Sequence, residues 1–111
     1  MKIIKESRDF TKKEKYNMTK GAEIQTIGNL EDGTMFEPNG FMLFEDEKQD
    51  GTKVEILSII DTDGRVYCSQ SPTFKRSFED ITEIMEDENF TIKKISGTTK
   101  AGREYVDCVL I

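Results

Sequence analysis

The sequence predicts a mainly β fold in the order strand, strand, strand, helix, strand, strand, and three observations carry that order. Apolar runs too short for helices recur at Thr34 to Phe44, at Val54 to Ile60, around Val66 and Cys68, at Phe90 to Ile95 and at Glu104 to Ile111. Asp63-Gly64 separates the second run from the third, as a hairpin turn does. Ser71-Pro72 then opens the stretch whose apolar residues repeat at helical spacing.

Met1 to Met18 is polar throughout, with Ile3, Ile4, Phe10, Tyr16 and Met18 scattered at no sustained period. Residues 1–20 therefore read as a loosely ordered basic arm, and residues 21–111 as the packed domain. Ala22, Ile24 and Ile27 alternate weakly, as in an edge strand or lead-in, before the Asp32-Gly33 turn. In Thr34 to Phe44, Pro38 and Gly40 call for a bent or bulged strand. Glu45 to Gly51 is a polar loop. Val54 to Ile60 is almost continuously aliphatic, the mark of a strand covered on both faces. With an even-length turn at Asp63-Gly64, Tyr67 shares a face with Arg65, Ser69 and Ser58, while Val66 and Cys68 join Leu57 and Ile59 on the other.

Ser71 is a good N-cap and Pro72 a preferred first helical residue, and Phe74, Phe78, Ile81 and Met85 then form one apolar helix stripe. Lys75 and Arg76 sit near its start, while Glu79, Asp80, Glu83, Glu86, Asp87 and Glu88 load the rest. Those acids oppose the helix dipole at its C-terminal end and suit either a solvated face or a partner surface. The last two strands are joined by Ser96 to Arg103, a loop with two glycines, hydroxyls, Lys100 and Arg103, suited to touching a phosphate backbone. Three strands, a helix that plugs one end, and two further strands is the order of a five-stranded OB-fold barrel.

A chain of 111 residues has room for one domain and one modest core. Its net charge is −6, but residues 1–20 hold seven Lys/Arg against three Asp/Glu, so a +4 arm precedes a −10 body. Overall acidity weighs against nucleic acid, yet phosphates respond to the local field of one groove, because distant acids are screened within about 8 to 10 Å. Cys68 and Cys108 alternate with aliphatic neighbours and read as small buried residues rather than a disulfide. No apolar run approaches the roughly 18 to 20 residues that span a bilayer, and Met1 to Phe10 lacks the apolar stretch of a signal peptide, so a reducing cytoplasm is expected. The chain has no histidine, and its cysteines lack metal-ligand spacing. Asp61, Asp63 and Asp107 are the one carboxylate set that could hold magnesium, but the first two fit a hairpin turn, so no enzymatic activity is expected.

Taken together, Asp32-Gly33-Thr34, the polar loop after Phe44, Asp63-Gly64-Arg65-Val66-Tyr67 and Gly97-Thr98-Thr99-Lys100-Ala101-Gly102 resemble the small single-stranded DNA-binding proteins of Bacillus-type phages that replicate by protein priming. The resemblance covers about Gly21 to Ile111 in order and spacing. It implies an OB-fold protein that coats single-stranded DNA without sequence preference during phage or mobile-element replication. It also implies stacking aromatics near the end of the first strand and in the strand after the Asp-Gly turn, where this chain has Phe44 and Tyr67. The chain departs from the family in having Phe rather than Tyr at the first position, a shorter loop without an aromatic at Glu45 to Gly51, and a longer basic arm.

The expected site combines cations along a groove with aromatic faces, each stacked base contributing about 1 to 3 kcal/mol. Phe44 and Tyr67 are the expected platforms, with Tyr105 a further one. Lys53, Arg65, Lys75, Arg76, Lys100 and Arg103 are the expected phosphate contacts. For each aromatic the competing reading is a core or wall residue, and for each cation a solvated charge. The expected partner is single-stranded DNA, with replication proteins as partners for the acidic helix and no cofactor; the basic arm suits wrapping DNA, self-association of neighbouring molecules along a strand, or a solubilising tail. The rival class is an acidic interaction protein, a DNA mimic or inhibitor acting through Phe78 to Glu88.

Overall fold

The computed structural model describes residues Met1 to Ile111 and is mainly β. Its strands are β1 (Lys2–Glu6), β2 (Gln25–Thr26), β3 (Met35–Phe36), β4 (Pro38–Glu47), β5 (Lys53–Asp61), β6 (Val66–Ser69), β7 (Ile92–Thr98) and β8 (Glu104–Leu110). Two helices, α1 (Lys12–Thr19) and α2 (Pro72–Met85), and a 3-10 turn at Ile27–Asn29 complete it. One sheet has the order β1-β4-β5-β6-β2 and the other β3-β7-β8. Met35 to Glu47 joins them, because its first part pairs with β7 and the rest with β5. The sheets are not closed into a barrel: β6 pairs with β2 rather than with β8.

One turn design recurs in all three consecutive hairpins and sets the register. Lys48 N–H donates to the Thr52 carbonyl, Asp61 N–H to that of Arg65 and Thr99 N–H to that of Arg103 (2.8, 2.9 and 2.8 Å). Each encloses a three-residue loop ending in a glycine at positive φ, namely Gly51 (85°), Gly64 (84°) and Gly102 (85°). This is the type I turn plus bulge that needs a left-handed third residue. An odd loop corrects the expected face assignment of β6. Tyr67 lies opposite Ile59 and Ser69 opposite Leu57, so Tyr67 joins Leu57 and Ile59; Val66 and Cys68 share the other face with Ile60 and Ser58. A shift of one residue exchanges every side chain between faces.

The main sheet is consequently apolar on both sides. Phe41, Leu43, Leu57, Ile59 and Tyr67 face one core with Phe36, Phe74, Phe78, Ile81, Ile92 and Cys108. There Phe41 meets Phe78 edge-on at 5.3 Å and Phe36 stacks on Tyr67 at 4.1 Å. Helix α2 supplies the expected stripe: the Ser71 hydroxyl accepts from Phe74 N–H, Pro72 is its first residue, and Phe74, Phe78 and Ile81 are buried. Both cysteines are free; burial, and then the Asp107 charge, push the Cys108 thiol up to about 12.

The opposite face carries Met42, Phe44, Ile60 and Val66, which form a second core with Phe10 and Met18. This corrects the loosely ordered arm. Strand β1 pairs along β4, α1 lies over β5 and β6, and β2 runs parallel to β6 at the far edge. Residues 1–30 therefore strap the sheet across one face and along both edges, covering backbone groups that an edge would leave open. The strap is held by specific contacts. Thr11 and Glu14 close a capping box at the start of α1, the buried Ser58 hydroxyl donates to the Met18 carbonyl (2.7 Å), and Gly40 leaves no room for a β-carbon because Phe10 lies 2.9 Å from where it would stand.

Lys94 is the one buried cation, donating to the Leu30 carbonyl (2.9 Å) and to Asp32 (2.7 Å). The hydrogen bond from Lys94, and next that from Ser96, hold the Asp32 carboxyl below its ordinary range. A carboxyl whose pKa falls on folding contributes stability above its unfolded value, ordinarily 3.8, and loses it as pH drops through the lower folded one. Denaturant midpoints measured from pH 6 to 2.5 should fall more steeply for the wild type than for Asp32→Asn, which starts lower and responds less to acid below pH about 4. Parallel curves would remove Asp32 as an acid-sensitive tie.

Candidate nucleic-acid interface

The expected site residues do not converge on one place. Phe44 is only 2 % exposed and lies beneath the strap, so it is a core residue rather than a platform. Tyr67 is 5 % exposed; its ring stacks on Phe36, and its hydroxyl donates to Asp61 Oδ2 (3.1 Å). Burial, then the Asp61 charge, raise its pKa. Asp61 is itself buried, its Oδ1 accepting from the N–H groups of Asp63 and Arg65 (2.9 and 2.8 Å). That carboxylate is committed to the turn, and no three His, Cys, Asp or Glu side chains are grouped to hold a metal. No helix is long and apolar enough to cross a membrane.

Three of the expected cations sit in ion pairs. Lys53 faces Glu45 (3.7 Å) and Arg65 faces Asp63 (3.2 Å). Lys75 reaches the Glu55 carboxylate (3.8 Å) and donates to its carbonyl (3.1 Å). The first two pairs are exposed, worth about 0 to 1 kcal/mol, and yield readily to a phosphate, whereas the Lys75 side chain is largely covered. Arg76, Lys100 and Arg103 are exposed and form no ion pair, so their charge is free for a ligand.

Arg103 and Tyr105 do come together. They border an open groove of about 830 Å³ between the N-terminus of α2 and the β7–β8 hairpin, floored by Gly28. Ser71, Thr73, Ser96, Thr98 and Thr99 bring hydroxyls to it, and Glu104 is its one carboxylate. In a chain with 22 acids that is a low acid content, although Asp32, which accepts from the Ser96 hydroxyl (2.6 Å), adjoins the groove with its charge paired to Lys94. Tyr105 pairs across the hairpin with Gly97 and lies against its bare backbone; a β-carbon at position 97 would stand 2.5 Å from the ring's Cζ. The ring is thus held flat at the rim, with the residue 36 % exposed. Lys100 stands in the loop at the hairpin's tip, held by the Gly102 N–H bond to Thr99 (2.9 Å).

The Ser71 and Ser96 hydroxyls already donate within the protein, to the Val106 carbonyl and to Asp32, so the groove offers the Thr73, Thr98 and Thr99 hydroxyls, an unpaired guanidinium and a supported aromatic face, groups able to hold a phosphodiester strand and stack its bases. Ser71, Thr73 and Gly28 escape the sequence reading because only the fold brings the start of α2 beside the hairpin. The rival surface is also present. Glu79, Asp80 and Glu83 on α2 and Glu86, Asp87 and Glu88 beyond it form no ion pair, and Ile84 among them is 75 % exposed. No protein-family model, curated protein or solved structure matches this chain.

Proposed function

We propose that this chain is a non-enzymatic, sequence-independent single-stranded DNA-binding protein that coats the strand during replication, as the phage proteins it resembles do. The observation that carries the reading is the groove between α2 and the β7–β8 hairpin, where unpaired Arg103 adjoins the Gly97-supported Tyr105 ring. The same reading takes the two sheets as an OB-type barrel held open. Met35 to Glu47 would be its first strand, since it pairs with both β5 and β7, and Ala22 to Leu30 would fill the gap between β6 and β8. Single-strand binders of that architecture use the loops at this end of the barrel and need no base-specific hydrogen bonds.

Titration with oligo(dT) against duplex of equal length tests the proposal, followed by tyrosine fluorescence, which a chain with three tyrosines and no tryptophan reports directly. The single strand should bind more tightly, and log K should fall with log salt by about 0.7 per phosphate neutralised. Equal competition by duplex, or no binding at low salt, would overturn it. A second reading, an acidic interaction protein, is favoured by exposed Ile84 among six unpaired carboxylates. It predicts no oligonucleotide binding at any salt concentration.

A further inference from the structure

Helix α1 carries an unexplained outer face. Of its residues only Met18 is buried, and the opposite side presents Lys12, Lys13, Tyr16 and Asn17 to solvent. Tyr16 is 61 % exposed, although a ring of that size is normally covered where it serves packing. Neither Lys12 nor Lys13 forms an ion pair, whereas Lys15 and Lys20 on the same segment do, with Glu6 (3.4 Å) and Asp46 (2.5 Å). The helix needs none of these outer side chains to hold its place, since the capping box, Met18 and the Ser58 bond do that.

Beside this face lies a second open groove, of about 650 Å³, between the C-terminal end of α1 and the β5–β6 turn. Tyr16 and Asn17 form one wall and Arg65 the other, with Glu23 and Asp63 as its acids. Asp63 already faces Arg65 in an exposed pair, which leaves Glu23 as the groove's one uncompensated acid against the two unpaired lysines of the neighbouring α1 face. The two grooves flank one segment: Gln25 lines this one and Gly28 lines that beside Tyr105. Three residues of chain span at most about 10 Å, so a flexible strand lying in one groove reaches the other by crossing β2 and the 3-10 turn.

Resting on the function proposed above, we infer that the outer face of α1 and the Tyr16–Arg65 groove form a second contact for the same single strand, with Tyr16 stacking a base and Lys12 and Lys13 pairing with phosphates. The strap thereby does two jobs. Its inner side completes the core, and its outer side lengthens the binding track, which explains why a basic segment precedes an acidic body. One groove accommodates a few nucleotides, and both together fall within the roughly 4 to 16 nucleotides that a single OB-type domain covers.

Oligonucleotide length separates the two contacts. Full-length wild type, Tyr16→Ala and the Lys12→Ala/Lys13→Ala pair are titrated with (dT)5 and (dT)15, with circular dichroism confirming unchanged folding of variants altered only at exposed positions. Both variants should bind (dT)5 as the wild type does and lose at least fivefold on (dT)15. The lysine pair should also lower the (dT)15 salt slope by about 1.4, two phosphates at 0.7 each. Unchanged (dT)15 affinity and slope, or equal losses on both lengths, would overturn the second contact while leaving the first groove standing. A wild type that binds neither oligonucleotide would overturn the function itself.

Discussion

Phe44→Ala is expected to destabilise the protein by about 3 to 5 kcal/mol, the range for truncating a buried aromatic ring. The ring is almost wholly buried in the core that Phe10 and Met18 of the strap build with Met42, Ile60 and Val66 of the sheet. Removing the ring therefore opens a cavity where the two are joined, and the strap cannot collapse into it without releasing β1 from β4. Urea unfolding at pH 7 reads the loss directly. The milder Phe44→Leu should remain folded and bind oligo(dT) with wild-type affinity, because position 44 lies under the strap and away from both grooves. A folded Phe44→Leu protein with weakened binding and little lost stability would restore Phe44 as a stacking platform and show that the strap lifts when DNA binds.

Tyr105→Ala should weaken single-strand binding by about five- to 150-fold, the equivalent of one stack at about 1 to 3 kcal/mol, with little change in stability. The ring is partly exposed and rests on Gly97 rather than in a core, so its removal leaves no enclosed cavity. Position 97 offers an internal control. A methyl group there would push against the ring, so Gly97→Ala should weaken binding in the wild type and change nothing further in Tyr105→Ala. Additive losses would mean that Gly97 serves the hairpin backbone alone, and an unaltered Tyr105→Ala affinity would remove the ring from the site.

Much of the fold is legible in the sequence because its signals are local. Short aliphatic runs, a serine cap followed by proline, and apolar residues at helical spacing each depend on neighbours a few positions away, and β4 through β8 with α2 form around those signals. Strand β4 nevertheless runs on through Glu47 and β7 through Thr98, both expected as loop, because the tight three-residue turns begin later. The strap is harder to read. Its anchors, Ile3, Phe10 and Met18, follow no single period because β1, the connecting turn and α1 each bury a different residue against a sheet that lies later in the chain. Two signals of it are nevertheless present: Thr11 and Glu14 carry capping-box spacing, and Met42 and Phe44 are too apolar for a face left in water.

The candidate site is less legible, and the reason is register. Assigning Tyr67 to an outer face assumes an even turn, whereas Asp61 closes an odd one through its own side chain and the left-handed Gly64. Tyr105 and Tyr67 look alike as alternating residues in polar company, yet one lies on bare glycine at a rim and the other is stacked beneath Phe36.

By itself, then, the sequence determined the order of strands and helix from Met35 onward, the charge division between the first 20 residues and the rest, and the supply of aromatic and cationic residues for the proposed site. Only the tertiary structure decided which aromatics are available to do so. Availability depends on one-residue differences in turn length and on what a distant segment covers, and neither is encoded within the few residues around a tyrosine or phenylalanine.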